Sequence, residues 1–428
     1  MKALKLKSFL LVLIVAFALT GCANDQIIDE TDEFNIELDK SINSSKQSEQ
    51  EAIAGPEYSN NELVIQYANH ITTERQKQAV RNRHNVVSYE RCNCDIDSIE
   101  LWRFSEDDGI DIEEREEAAR DDEDIDLEEF NYYIPLGEDD TFVNPQPNPL
   151  LLANLTNFES SNITIAVLDT GVDYTNPLFS TPFLHHIEDI DRCKYETVYD
   201  DFDYSNNPNA NLMDTQGHGT EVTGIIYKIL VDKGVKFDIL PIKVFDEDGK
   251  TSSFKITCGL QFARDNNVDI INTSFGWYRT PIDFIRQEYQ NSHGTEQILT
   301  VASAGNSGIN TDSDDFAHYP SNQGYNHIIS VAGLNEESNG LWKYSNYGRA
   351  MTHVTAKAVN IESIVNPGTY ISGTSFSAPI VTARASILFT EGVLVQDALF
   401  TSVVNSGIPL NSLEGYIKYP VYIDGLND

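Results

Sequence analysis

Three short segments, far apart in the chain, each carry one polar side chain that acyl transfer requires. They are Ile163–Asp173 (ITIAVLDTGVD), Asp214–Ile226 (DTQGHGTEVTGII) and Tyr370–Ala378 (YISGTSFSA). Ser375 is a hydroxyl that becomes nucleophilic when a base removes its proton. His218 is such a base, because an imidazole titrating near neutrality can take that proton and return it to a leaving group. Asp169 is a carboxylate that would hold the imidazole tautomer and stabilise its cation. Taken singly, an Asp after a strand or a Ser at a helix start is usually a cap. Together, each within two residues of a glycine, they point to nucleophilic acyl transfer at Ser375.

These groups need rigid elements to bring them together. The apolar run ending at Asp169 predicts a buried parallel strand that delivers a carboxylate to the carboxyl edge of a sheet. Gly217-His218-Gly219-Thr220 opens an apolar helix, and Gly373-Thr374-Ser375 opens another that runs through Pro379 to about Phe389. Further strands are expected at Asp238–Phe245, Val268–Ser274, Gln297–Ala302 and His327–Ala332. Helices are expected at Gly219–Val231, Phe254–Asn266 and Ile282–Asn291. Such alternation predicts an α/β fold, a parallel sheet with helices on both faces.

Asp, then His, then Ser is the chain order of subtilisin, distinct from two other serine-hydrolase orders. The local wording agrees, and the chain resembles the subtilisin-like serine protease (subtilase) family at all three motifs. Val301–Gly308 (VASAGNSG) resembles that family's oxyanion-hole stretch, with Asn306 as amide donor. Asn272–Gly276 (NTSFG) resembles the strand that pairs with bound peptide through Ser274, Phe275 and Gly276. The resemblance implies that Ser303, Ala304 and Gly305 line the specificity pocket, where their small size leaves room for a sizeable side chain. Asp312, Asp314 and Asp315 lie nearby, either favouring a basic side chain or forming an ordinary acidic loop. No cofactor is implied for the chemistry. Structural calcium is common in the family, and Asp200, Asp201 and Asp203 are candidate ligands beside the alternative of a solvated turn. Glu221 stands where the family commonly has a second His, Asn176 replaces a frequent His, and Phe376-Ser377 replaces Met-Ala. Ala356-Lys357-Ala358 stands where Ala-Pro-Gly is usual. None of these changes removes a catalytic atom.

The 428 residues suffice for one large α/β domain and a smaller one. Residues 1–21 read as a signal peptide: Lys2, Lys5 and Lys7 precede an apolar run from Phe9 to Leu19, too short to span a bilayer. Leu19-Thr20-Gly21-Cys22 resembles a bacterial lipobox, which implies cleavage before Cys22 and its lipidation. Ala23 would then favour the outer membrane in a two-membrane host. Residues 22–60 are polar and aperiodic, a flexible tether. Residues 61–134 follow a βαββαβ pattern, a small α+β ferredoxin-like unit. Its place before a subtilase-like region resembles the family's propeptide, which assists folding and inhibits through its last strand; a permanent structural adaptor is the alternative. Residues 135–153 read as a linker and 154–428 as the catalytic domain.

Cys92, Cys94, Cys193 and Cys258 allow three disulfide pairings in an exported chain. Cys193–Cys258 is a candidate pairing, since both fall in the catalytic region, and the sequence leaves the connectivity open. Cys92-Asn93-Cys94 stays open as a local bridge, a metal or redox pair, or two thiols. The formal charge is −38, with 18 acidic residues against two Arg between Glu106 and Asp140. Such a charge repels nucleic acid and anionic membrane surfaces. The expected protein is an exported, envelope-anchored serine endopeptidase made as a self-inhibited precursor. The expected partners are a peptide substrate, its own N-terminal unit and a membrane reached through the lipid. The alternatives are a peptide-binding pseudoprotease, or a maturation protease dedicated to one secreted peptide.

Overall fold

The first folded residues pair with one another as the βαββαβ pattern predicts. In this computed structural model, which describes residues 53–92, 99–137, 161–184, 213–294 and 298–425, they form β1 (Tyr58–Tyr67), α1 (Glu74–Arg83), β2 (Ser88–Arg91), β3 (Ile99–Arg103), α2 (Ile112–Arg120) and β4 (Ile125–Pro135). The antiparallel sheet order is β2-β3-β1-β4. Thr73 and Gln76 close a capping box at the start of α1. β1 begins at Tyr58, inside the stretch read as tether, because Tyr58 stacks on Phe130 and pairs with Tyr132 of β4.

The larger part contributes β5 (Thr164–Asp169), α3 (His218–Asp232), β6 (Asp238–Lys243), β7 (Lys250–Ser252), α4 (Ser253–Asp265), β8 (Ile270–Thr273), β9 (Trp277–Tyr278) and α5 (Asp283–Gly294). Then come β10 (Leu299–Ser303), β11 (His318–Tyr319), β12 (Ile328–Leu334), β13 (Val354–Lys357), β14 (Ile361–Glu362), β15 (Tyr370–Ile371), α6 (Thr374–Thr390), α7 (Gln396–Asn405), β16 (Ile408–Pro409) and β17 (Val421–Ile423). The main sheet runs β16-β17-β13-β12-β10-β8-β5-β6, parallel except for the β16 edge. The expected strands and helices all form. β13 and β17, not foreseen, extend the sheet; they are too short to show a period.

Alternation along the strands splits the core. Ile165 and Val167 face α3 and α6, whereas Ala166 and Leu168 face α4 and α5. Helix α4 is covered twice: Ile256 and Leu260 pack on the main sheet, and Phe254 and Cys258 pack on Val64, Ile99 and Leu101 of the N-terminal sheet.

That second contact corrects the candidate Cys193–Cys258 pairing. Cys258 bonds to Cys92, 166 positions away, with Cα atoms 4.8 Å apart. Cys258 lies one helical turn after Phe254, on the face of α4 turned to the N-terminal sheet, and Cys92 directly follows β2 on that sheet. Cys22, Cys94, Cys193 and the aspartates 200, 201 and 203 lie outside the described residues, as do the signal segment and most of the linker.

Candidate active site

Asp169 ends β5 at the carboxyl edge of the sheet and is fully buried. Its Oδ1 lies 2.8 Å from His218 Nδ1 and accepts the Thr170 backbone N–H at 2.7 Å. The pair leaves the imidazole Nε2 as the side that can take a proton. Asp214 shapes the turn before His218, accepting from Gly217 N (2.7 Å), Gln216 N (3.0 Å), Thr220 N (2.8 Å) and Thr220 Oγ1 (2.6 Å). The motif thus contained a positioning residue that a search for catalytic groups passes over. Gly219 is required by proximity: a Cβ there would stand 2.3 Å from Gly171 O.

Ser375 sits in the first turn of α6, against the same edge; the ring of its neighbour Phe376 lies 5.5 Å from the His218 ring. Its hydroxyl donates to Ser274 O at 3.0 Å, so it must rotate to His218 before its proton can leave. The backbone beneath is fixed by a buried relay. Thr382 Oγ1 donates to Asn272 Oδ1, Asn272 Nδ2 to Ser274 Oγ, and Ser274 Oγ to Ser375 O, at 2.8, 3.0 and 2.8 Å. Asn306 Oδ1 accepts from Thr374 N (2.9 Å) and Thr374 Oγ1 (2.8 Å), which turns its Nδ2 to the cavity. A tetrahedral oxyanion formed at Ser375 would meet that amide and the orphan N–H groups of the helix start.

The cavity in front of Ser375 measures about 470 Å³ and is lined by Ser274, Phe275, Gly276, Ser303, Gly305 and Asn306, which the sequence named. Ala304 is buried behind the wall and does not line it. His318 also lines this cavity. A Cβ on Gly276 would lie 2.2 Å from His318 Cε1, and one on Gly305 would lie 2.9 Å from His318 Nε2. The His318 ring therefore occupies the space that the small residues leave. Burial pushes its pKa down to about 3, so it is neutral. Ser321 Oγ donates to His318 O (2.7 Å) and so accepts from Nδ1 (3.0 Å), leaving Nε2 as an acceptor at the cavity wall. Nothing in the sequence signalled this, because His318 is twelve residues beyond Asn306 on β11. Asp312, Asp314 and Asp315 do not line the cavity; Asp312 accepts from Ala350 N and Met351 N and shapes a loop.

Glu221, which replaces the second His, is buried and its pKa is raised by desolvation. It holds the 363–365 loop, accepting from Ser363 Oγ, Ile364 N (2.7 Å) and Val365 N (3.0 Å). Among the described residues no group of three or more His, Cys, Asp or Glu could hold a metal ion.

The N-terminal unit reaches this site. β4 pairs antiparallel with β7, Ile134 opposite Thr251, and Leu136 N donates to Gly249 O at 2.7 Å. Pro135, Leu136 and Gly137 then line the cavity with Ser375. Two helix starts are capped from β4: Asn131 Oδ1 accepts Phe254 N of α4 (3.2 Å), and Glu129 accepts Asp283 N (2.9 Å) and Phe284 N (3.3 Å) of α5. Burial pushes the Glu129 carboxyl up to about 8, against those two hydrogen bonds.

Residues 160–391 match the Subtilase family profile of the S8 peptidases. The chain is 31% identical over 235 residues to the cell wall-associated protease of Bacillus subtilis, covering 53% of this chain and 23% of that protein. It is 30% identical over 243 residues to the thermophilic serine proteinase of Bacillus sp. strain AK1, covering 54% of this chain and 53% of that one. It therefore spans at most about half the length of these relatives. The crystal structure of the epidermin leader peptide processing serine protease of Staphylococcus aureus superposes with a TM-score of 0.62 at 14% identity, over 86% of this chain and 98% of that one, a likeness of fold. A profile match over more than half the chain, on a sheet whose edge carries Asp169, His218 and Ser375, makes this protein a member of the subtilase family.

Proposed function

We propose that the protein is an exported serine endopeptidase, made as a precursor inhibited by its own N-terminal unit. The observation that carries the inhibition is the path of β4, which pairs with β7 and leads Pro135–Gly137 into the cavity of Ser375. A substrate peptide would use the same edge, as an added strand between β7 and Ser274-Phe275-Gly276. Ser375 Oγ gives its proton to His218 Nε2 and attacks the scissile carbonyl carbon. Asn306 Nδ2 and the Ser375 N–H hold the oxyanion, and Asp169 holds the imidazolium. His218 passes the proton to the departing amine as the C–N bond breaks. Water then repeats the sequence and frees the acid. The lipobox-like Leu19–Cys22 supports an envelope lipoprotein, and Cys22→Ala abolishing incorporation of labelled fatty acid tests that separately.

The test is the intact mass of wild type and Ser375→Ala, before and after fluorophosphonate. An adduct on a wild-type chain cut between about Ile134 and Asn154, with the mutant uncut and unlabelled, supports the reading. A wild type that never hydrolyses peptide, even with the N-terminal unit removed, favours the pseudoprotease.

A second reading, processing of one dedicated peptide, has two supports. One is the likeness to the staphylococcal leader peptide processing protease over nearly its whole length. The other is the cavity narrowed by His318. Cleavage of a peptide library at many sites, with large and small residues alike preceding the cut, would set this reading aside.

A further inference from the structure

The Cys92–Cys258 disulfide joins two parts of the chain that the proposed maturation would separate. Cys92 directly follows β2 of the N-terminal unit, and Cys258 lies within α4, packed between that unit and the main sheet. The cut proposed above, between about Ile134 and Asn154, falls between them in sequence. A cut there divides the backbone in two and leaves the pieces bonded. We propose that the N-terminal unit is a covalently retained subunit of the cleaved protein, and that a dithiol reductant is what lets it go. The inference rests on the reading of β4 as an inhibitory strand and of the stretch between about Ile134 and Asn154 as the processing segment.

A unit held only by contacts leaves by dilution after the cut. A tethered one stays at an effective concentration on the order of millimolar, so β4 rebinds the cleft faster than substrate arrives. Both cysteines are buried, Cys92 5% and Cys258 1% exposed, among Val64, Leu101, Phe254 and Phe284. Thiol exchange needs a thiolate to reach a sulfur. The docked unit therefore shields its own tether, and reduction follows only after β1–β4 lift from α4 and α5. In that step one thiolate of the dithiol attacks one sulfur and the other leaves as a thiolate. The second thiol of the reductant then closes on the first. Two electrons pass to Cys92 and Cys258, which end as thiols with two protons, and the reductant leaves as its cyclic disulfide. A lipid on Cys22 would hold the catalytic part at the membrane through this bond until the bond is broken.

The test starts from full-length Ser375→Ala carrying a foreign protease site within segment 138–153, so that cutting does not depend on self-processing. After cutting, thiol blocking and denaturation, the expected intact mass is that of the uncut chain plus one water. Dithiol should split it into two chains, with peptide mapping at Cys92–Cys258. Cys258→Ser and Cys92→Ser should each fall apart without dithiol, and either variant suffices if the other misfolds. Separation of the unreduced Ser375→Ala pieces, or a link running through Cys94 or Cys193, overturns the proposal. In the active protein cut the same way, dithiol should raise turnover about tenfold or more, and Cys258→Ser should not respond. A mapped tether with no rise keeps the retained subunit but removes its inhibitory role, and so overturns the reading under Proposed function instead.

Discussion

The N-terminal unit and the catalytic region bury themselves by different means. The catalytic sheet is apolar on both faces: Ile165 and Val167 meet one pair of helices, Ala166 and Leu168 the other, and each face closes a large cluster. The N-terminal sheet has one face of its own, where Leu63, Ile65 and Trp102 pack under α1 and α2. Its other face, Val64, Ile99 and Leu101, is covered by Phe254, Cys258 and Phe284 of the catalytic part. At its heart sits a salt bridge, Arg81 with Glu100, both essentially inaccessible, with Tyr67 Oη and Trp102 Nε1 also donating to Glu100 at 2.7 and 3.0 Å. A unit this small closes little core alone. The difference teaches that its stability and its docking are one property, whereas the catalytic core is closed mostly by its own helices, with Ile134 and Leu136 of the N-terminal unit joining one face.

The largest expected effect leaves that contrast untouched. Ser375→Ala should lower kcat by a factor on the order of 10⁶ while both regions keep their thermal transitions, measured by active-site titration and calorimetry. A lost transition would mean that the Ser375 hydroxyl, rather than its backbone, anchors α6.

Arg81→Met attacks the N-terminal unit alone. It removes the more buried of two guanidinium partners of Glu100, leaving Arg91 Nε at 3.1 Å, and breaking a buried pair destabilises by about 3–5 kcal/mol at most. Hydrogen exchange in the Ser375→Ala background should show protection lost in β1–β4 and kept in β5, β8 and β10. Equal loss in both would refute the asymmetry.

Asn306→Ala removes one oxyanion donor, so kcat should fall by about 10²–10³ with KM little changed. A comparable rise in KM would place Asn306 in ground-state binding.

Glu129 sharpens the comparison at the interface. Docked, its carboxyl holds a proton up to about pH 8, whereas a free glutamate releases it near the ordinary value of 4.5. Between these limits the docked form binds more protons, so docking weakens as pH rises through the window, by at most about tenfold per pH unit, and levels off above it. Glu129→Gln should flatten that profile in an inhibition assay of the separated unit against the catalytic part. An unchanged slope would assign the pH dependence to other groups.

Much of this was legible in the sequence because the signals are local. The apolar run over 163–168 and the apolar helical stretches over 219–231 and 254–266 report burial, and Gly217-His218-Gly219 and Gly373-Thr374-Ser375 report helix starts. Those signals specified most of the elements and put Asp169, His218 and Ser375 at element ends, whereas Asn306 came from the resemblance of Val301–Gly308 to the subtilase oxyanion stretch. What only the tertiary structure decided depends on which distant faces meet. Cys258 pairs with Cys92 because α4 turns that residue to the N-terminal sheet. His318 narrows the cavity because β11 pairs with β9 and carries its ring beneath Gly276 and Gly305. Glu129 and Asn131 cap helices more than 120 positions away. Periodicity says that a residue is buried; only the packed chain says against what.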